Sequence, residues 1–162
     1  MEICNMTQSD IVDVKKIATR SWHSTYKGII PIDVQNNFLD MAYSVELLQE
    51  RLTTSPFYIA KIEDKVVGFA NFSNKHENGA VELFAIYLNP SHQNKGIGSA
   101  LLLHGCQQLQ PHHVYVNVEA ENEIGKHFYL AKGFEMIEEF DDNFEGHLLK
   151  TIRMVLDLKH LS

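Results

Sequence analysis

Cysteine is scarce in this 162-residue chain: Cys4 and Cys106 are the whole supply. Two thiols so far apart build no disulfide framework, and neither sits at a metal-ligand spacing. Proline is limited to four residues, and no repeat, low-complexity tract or linker divides the chain. A single domain spanning 1–162 is the expectation. Basic charge is short as well. Fourteen lysines and arginines against 21 acidic residues leave a formal net charge of -7, whereas a nucleic-acid binder needs a basic footprint. No apolar run reaches the length of a membrane span. Met1 to Asn5 lack the basic and then apolar regions that open a signal peptide. These absences lead us to expect a cytoplasmic protein with no nucleic-acid or membrane partner. Nine histidines are present, but His112-His113 are neighbours without the i, i+4 spacing of a helical metal site, so no metal is expected.

What remains is an ordinary globular composition, 44% apolar and 22% charged, with a change of period near its first third. Met1 to Met6 reads as an edge strand. Thr7 and Asp10 resemble a helix start, and Ile11, Val14, Ile17, Ala18, Ser21 and Trp22 follow at helical spacing up to Gly28. Pro31 opens a second helix through Leu39, and Ser44 caps a third to Leu52. From Phe57 the pattern is β: Phe57–Ile62 and Val66–Phe72 around a turn at Glu63-Asp64-Lys65, then Val81–Leu88 after Asn78-Gly79. A helix from Ser99 to Leu109, a strand Val114–Val118 and a helix Asn122–Lys132 closed by Gly133 come next. Two strands, Phe134–Phe140 and Leu148–Leu156, flank a polar loop from Asp141 to Gly146. This order implies an α/β fold: a mixed, mostly antiparallel sheet with helices on both faces. The helix between the Val81 and Val114 strands makes that one pair parallel.

Gln93-Asn94-Lys95-Gly96-Ile97-Gly98 joins the Val81 strand to its following helix. Two glycines in a tight strand-to-helix turn leave backbone N–H groups free beside a positive helix end, an arrangement suited to phosphate or pyrophosphate. No Gly-Lys-Ser/Thr follows, which excludes a P-loop nucleotide hydrolase.

With the strand end Ile86-Tyr87-Leu88-Asn89-Pro90 and the later Asn122…Phe128-Tyr129…Gly133-Phe134 run, this loop resembles the GNAT superfamily of acetyl-CoA-dependent N-acetyltransferases. The resemblance covers nearly the whole chain in element order and is sharpest from Val81 to Phe134. It implies acetyl-CoA as co-substrate and a splay between the two parallel strands. The pyrophosphate would lie on Gln93 to Gly98 and on the helix amides of Ser99 and Ala100, with Lys95 at the rim. The pantetheine would pair with the backbone of Ile86, Tyr87 and Leu88, and Asn122 would lie near it. Tyr129 matches the tyrosine that acts as general acid on the departing thiolate. Gly125 stands where the family usually carries alanine.

An ammonium cannot attack a thioester, so a base is needed. Strand alternation puts Glu82 with Phe84, Ile86 and Leu88 on one face, and several family members use a glutamate on this strand through a water. Tyr26 and His23 are the alternatives to Glu82 as base. Together with Trp22 they sit where the family forms one wall of the acceptor pocket. The implied activity is transfer of acetyl from acetyl-CoA to a primary amine of a small molecule, polyamine-like or otherwise, by direct attack in a ternary complex. A protein N-terminus or lysine as acceptor stays open, and so does a non-catalytic CoA-binding module of the same fold. The acidic stretch Asp141 to Glu145 would suit a cationic acceptor. A homodimer is common in the family, and no residue decides it here.

Overall fold

The computed structural model describes residues 1–159. Along the chain run β1 (Glu2–Asn5), α1 (Ile11–Thr25), α2 (Ile32–Ala42), α3 (Val45–Thr54), β2 (Phe57–Ile62), β3 (Lys65–Phe72) and β4 (Ala80–Leu88). They are followed by α4 (Ile97–Leu109), β5 (His113–Glu119), α5 (Glu123–Ala131), β6 (Glu135–Phe144) and β7 (His147–Asp157). Seven strands form one sheet in the order β1-β2-β3-β4-β5-β7-β6. Among the described residues only the β4–β5 pair is parallel, as a helical crossover requires.

Local chemistry explains the elements. The amide and hydroxyl of Thr7 both donate to Asp10 Oδ2 at 2.9 Å, closing a capping box ahead of α1. The apolar stripe from Ile11 to Trp22 is buried, as its helical spacing implies. Glu63 and Asp64 both have positive φ, as do Glu145 and Gly146. Two such residues make a type I′ turn, whose twist matches the strands of a tight hairpin. Lys65 therefore belongs to β3 and not to the turn.

One apolar cluster lies between α1–α3 and the sheet, with Ile11, Val14, Leu39, Leu48, Phe69 and Ala85 at its centre. The other lies under α4 and α5 and includes Phe72, Val81, Leu83, Leu101, Val114, Val116 and Met154. A sheet this well covered on both faces accounts for the near-continuous apolar runs of β2, β3 and β4.

Three further expectations need correction. The polar run Asp141–Gly146 is not a loop, because β6 continues to Phe144 and only Glu145-Gly146 turn. As an edge strand exposed along most of its length, β6 needs no apolar alternation; its ladder with β7 and the packing of Phe144 against Trp22 and Phe38 hold it. Helix α4 begins at Ile97 rather than Ser99. Finally, Glu82 does not share a face with Ile86 and Leu88. Leu83 pairs with Phe72 but Ala85 with Asn71, leaving Phe84 as the extra residue of a β-bulge. The bulge reverses the alternation. Val81, Leu83, Ile86 and Leu88 face α4, while Glu82 lies on the side of Ala85 and Tyr87.

Candidate active site

The site begins at a fork. Pairing between β4 and β5 runs from Ala80–His113 to Leu83–Val116 and stops. Beyond it, the edge of β4 from Phe84 to Leu88 has no ladder partner on the β5 side. A cavity of about 450 Å³ opens there, lined by both arms of the fork, the end of α1, the loop before α4, and α5. Unpaired strand edges seek an extended partner carrying amides.

At one end of the cavity stands the glycine loop. Gln93 is extended, and Asn94 and Gly96 have φ of 62° and 81°. Asparagine and glycine are the residues that tolerate this left-handed backbone. Gly98 has a different reason to be glycine: a Cβ there would lie 3.1 Å from the Phe128 ring. The first intrahelical bond of α4 runs from the Ala100 amide to the Gly96 carbonyl at 3.0 Å. The amide of Ala100 is thus already used, and those of Ile97, Gly98 and Ser99 precede the ladder as free donors. They and the unpaired β4 edge fit a ligand with a pyrophosphate at one end and an amide-bearing arm at the other.

Across from the loop, Asn122 Oδ1 accepts the Gly125 amide at 2.9 Å and caps α5. A Cβ on Gly125 would meet the Asn122 side chain, as it stands, at 2.6 Å. Tyr129 is buried between Phe128 and Phe134, with ring centroids 5.3 and 5.2 Å away. Burial, and secondarily the nearby Tyr87, pushes its phenol well above the ordinary value. Tyr129 therefore keeps its proton at working pH. The same desolvation raises the basicity of any thiolate formed beside it, so the transfer does not depend on the phenol's acidity in water.

Of the residues singled out in the sequence, the cavity gathers Trp22, Tyr26, Ile86, Tyr87, Leu88, Gln93, Asn94, Gly98, Asn122 and Tyr129. Lys95 and Gly96 are exposed outside it. Burial drives Tyr26 far above the ordinary phenol value, with the charges of Tyr87 and Tyr129 adding to it, which disfavours its use as a base. His23 turns away: its Nε2 meets Asn36 Oδ1 at 2.8 Å, and it lines a separate surface hollow. Glu82 lies just below the fork without lining the cavity, its carboxylate ion-paired with Arg153 of β7. Reasoning from sequence missed Phe84 and Asn117, which do line the cavity, and Arg153. Phe84 is placed by the bulge, for which the sequence carries no local signal.

Comparison with known proteins decides the family. The model of the acetyltransferase (GNAT) family matches residues 16–134. The chain belongs to that family. This GNAT chain is 35% identical over 142 residues to the uncharacterized N-acetyltransferase YuaI of Bacillus subtilis, covering 84% of this chain and 80% of that one. It is 27% identical over 145 residues to a spermidine N(1)-acetyltransferase of Thermoplasma acidophilum, covering 84% and 89%. The crystal structure of the PaiA N-acetyltransferase of Thermoplasma acidophilum in complex with coenzyme A superposes with a TM-score of 0.86, at 24% identity and over 96% of this chain and 98% of that one. The enzyme is an acyltransferase, and the fold is that of its family.

Proposed function

We propose that this enzyme transfers the acetyl group of acetyl-CoA to a primary amine of a small cationic molecule, by direct attack in a ternary complex. The observation that carries the reading is the fork between β4 and β5, with free helix amides at one end and Tyr129 buried at its side. Ile97, Gly98 and Ser99 would hold the pyrophosphate, and the β4 edge from Ile86 to Leu88 the pantetheine. Held there, the thioester supplies an activated acetyl carbon. The surplus proton of the ammonium first passes through water to Glu82. The free amine nitrogen then bonds to that carbon and the C–S bond breaks; the Tyr129 phenol gives its proton to the thiolate, and the proton shed by the acetylated nitrogen returns through water to Tyr129.

A cationic acceptor fits the charge of the open sheet face. Register puts Glu138 of β6 beside Arg153 and Asp142 beside Leu149, on the same side of the sheet as Glu82. The relative named for spermidine acetylation points the same way. A cytoplasmic location belongs to this reading. A non-catalytic CoA-binding module would have no use for a buried phenol facing the fork.

A thiol-release screen with acetyl-CoA against polyamines, amino acids, aminoglycosides and peptides tests the proposal. We expect turnover with di- and polyamines above the rest. CoA binding by calorimetry with no thiol release from any amine would favour the module; no binding of CoA at all would sink both readings.

A further inference from the structure

Arg153 is a cation planted at the base of the fork, and no step above has used it. Its guanidinium reaches from β7 across two strands. Nη1 donates to Asn117 Oδ1 of β5 at 2.9 Å and to Glu82 Oε2 of β4 at 3.4 Å, while Nη2 pairs with Glu82 Oε1. The guanidinium carbon lies over the Tyr115 ring, 4.7 Å from its centroid. Register explains the convergence: Glu82 pairs with Tyr115, and Asn117 with Arg153, so all four side chains stand on one face. Glu82 and Tyr115 form the rung below the last one before the strands part, and Asn117 is the first β5 residue beyond it.

Arginine can only donate, so the Asn117 oxygen must face it. The two Nδ2 hydrogens of Asn117 are then left for the cavity that this residue lines. A planar fork is also what a carboxylate accepts from two nitrogens at once. Arg153 thereby fixes two groups with one rigid plane: the Glu82 carboxylate behind the fork and the Asn117 amide in front of it.

We infer that Arg153 is a positioning residue for acetyl transfer, which holds the Glu82 carboxylate in place at the base of the fork and turns the Asn117 amide hydrogens into the cavity. The inference rests on the reading of Glu82 as base. The other ionisable groups acting on this guanidinium are Tyr115 on β5 and Glu138 on β6. Glu138 is a second carboxylate, beside Arg153 in register, that a lost cation would leave unbalanced, but it does not line the cavity.

Arg153→Met should lower kcat by roughly tenfold or more and leave the calorimetric Kd for CoA within about twofold. In a double-mutant cycle, the kcat loss from Arg153→Met should be smaller in the Glu82→Gln background than in the wild type, because part of it acts through Glu82. Arg153→Lys keeps the charge without the planar fork; its kcat should fall severalfold. It also carries the test should the methionine variant fail to fold. Fully additive rate losses, a CoA affinity that falls in step with kcat, or a lysine variant with wild-type kcat would overturn the inference. The failure of the underlying reading looks different: Glu82→Gln itself would then keep the wild-type kcat.

Discussion

Strands β3 and β6 have nearly the same length and lie in one sheet, yet they live in different solvents. The last six residues of β3, Val67 to Phe72, are all buried, between α1–α3 on one face and α4 on the other. Almost every residue of β6 is exposed, including Met136 and Ile137 at 60% and 52%. The β4–β5 fork lies between these regimes. On the β3 side the hydrophobic effect holds the backbone rigidly, which is what precise positioning requires. On the β6 side the sheet stays open to charged groups and to an incoming molecule. The difference teaches that stability and chemistry are supplied by opposite halves of one sheet.

Large-to-small substitution is the hardest way to break that contrast. Phe69 is fully buried and packs against Phe57, Tyr43 and Tyr87. Phe69→Ala should cost about 3–5 kcal/mol of unfolding free energy, from lost burial plus the cavity left behind. Ile137→Ser on β6 should stay within about 0.5 kcal/mol. Denaturant titration of the two variants checks both. Similar losses would mean that β6 is covered in solution.

The same division decided what could be read from sequence. Buried strands such as Phe57–Ile62 and Val66–Phe72 announced themselves as apolar runs, and the glycine loop and the Asn122 cap stood out because local backbone chemistry needs those residues. Asp141 to Phe144 looked like a loop because an exposed edge strand has no apolar signature. The bulge at Phe84 escaped because one extra residue leaves no mark on composition, yet it reversed the side on which Glu82 stands. Arg153 escaped for a third reason. It meets Glu82 across 71 sequence positions, and only the insertion of β7 between β5 and β6 brings the two together.

Within the glycine loop the contrast shrinks to two residues. Gly98 is buried against Phe128, whereas Gly96 is exposed, has a φ of 81° and has nothing within 4 Å of an added Cβ. Gly98→Ala should cost about 1–3 kcal/mol through overpacking, and Phe128→Leu in the same chain should recover much of it. Gly96→Ala should cost about 1–2 kcal/mol through backbone strain alone, and Phe128→Leu should recover none. Thermal melts of the four variants separate the two causes. Recovery of Gly96→Ala by the Phe128 change would refute the assignment.

The smallest expected effect concerns carboxylates. Asp10, 4% exposed, belongs to the sheltered half, where it takes the Thr7 hydrogen bonds and sits 3.3 Å from Lys61 Nζ. Burial pushes its carboxyl up, but the Thr7 donors and the Lys61 charge outweigh it and hold it below the ordinary value. A group whose pKa is lower folded than unfolded adds stability above its unfolded value, near pH 4, and loses that contribution as the pH falls through its folded value. Asp10→Ala should therefore cost about 1–2 kcal/mol at neutral pH and should flatten the fall in stability below about pH 4. Glu123 is the counterpart, paired with Lys126 at 2.8 Å but with its side chain 65% exposed. Its carboxyl is also held below the ordinary value, by the Lys126 hydrogen bond and charge, yet water and salt screen such a pair. Glu123→Gln should leave the melting temperature unchanged at both pH values. If the two variants melt alike across the acid range, shelter by the helices is not what gives Asp10 its value.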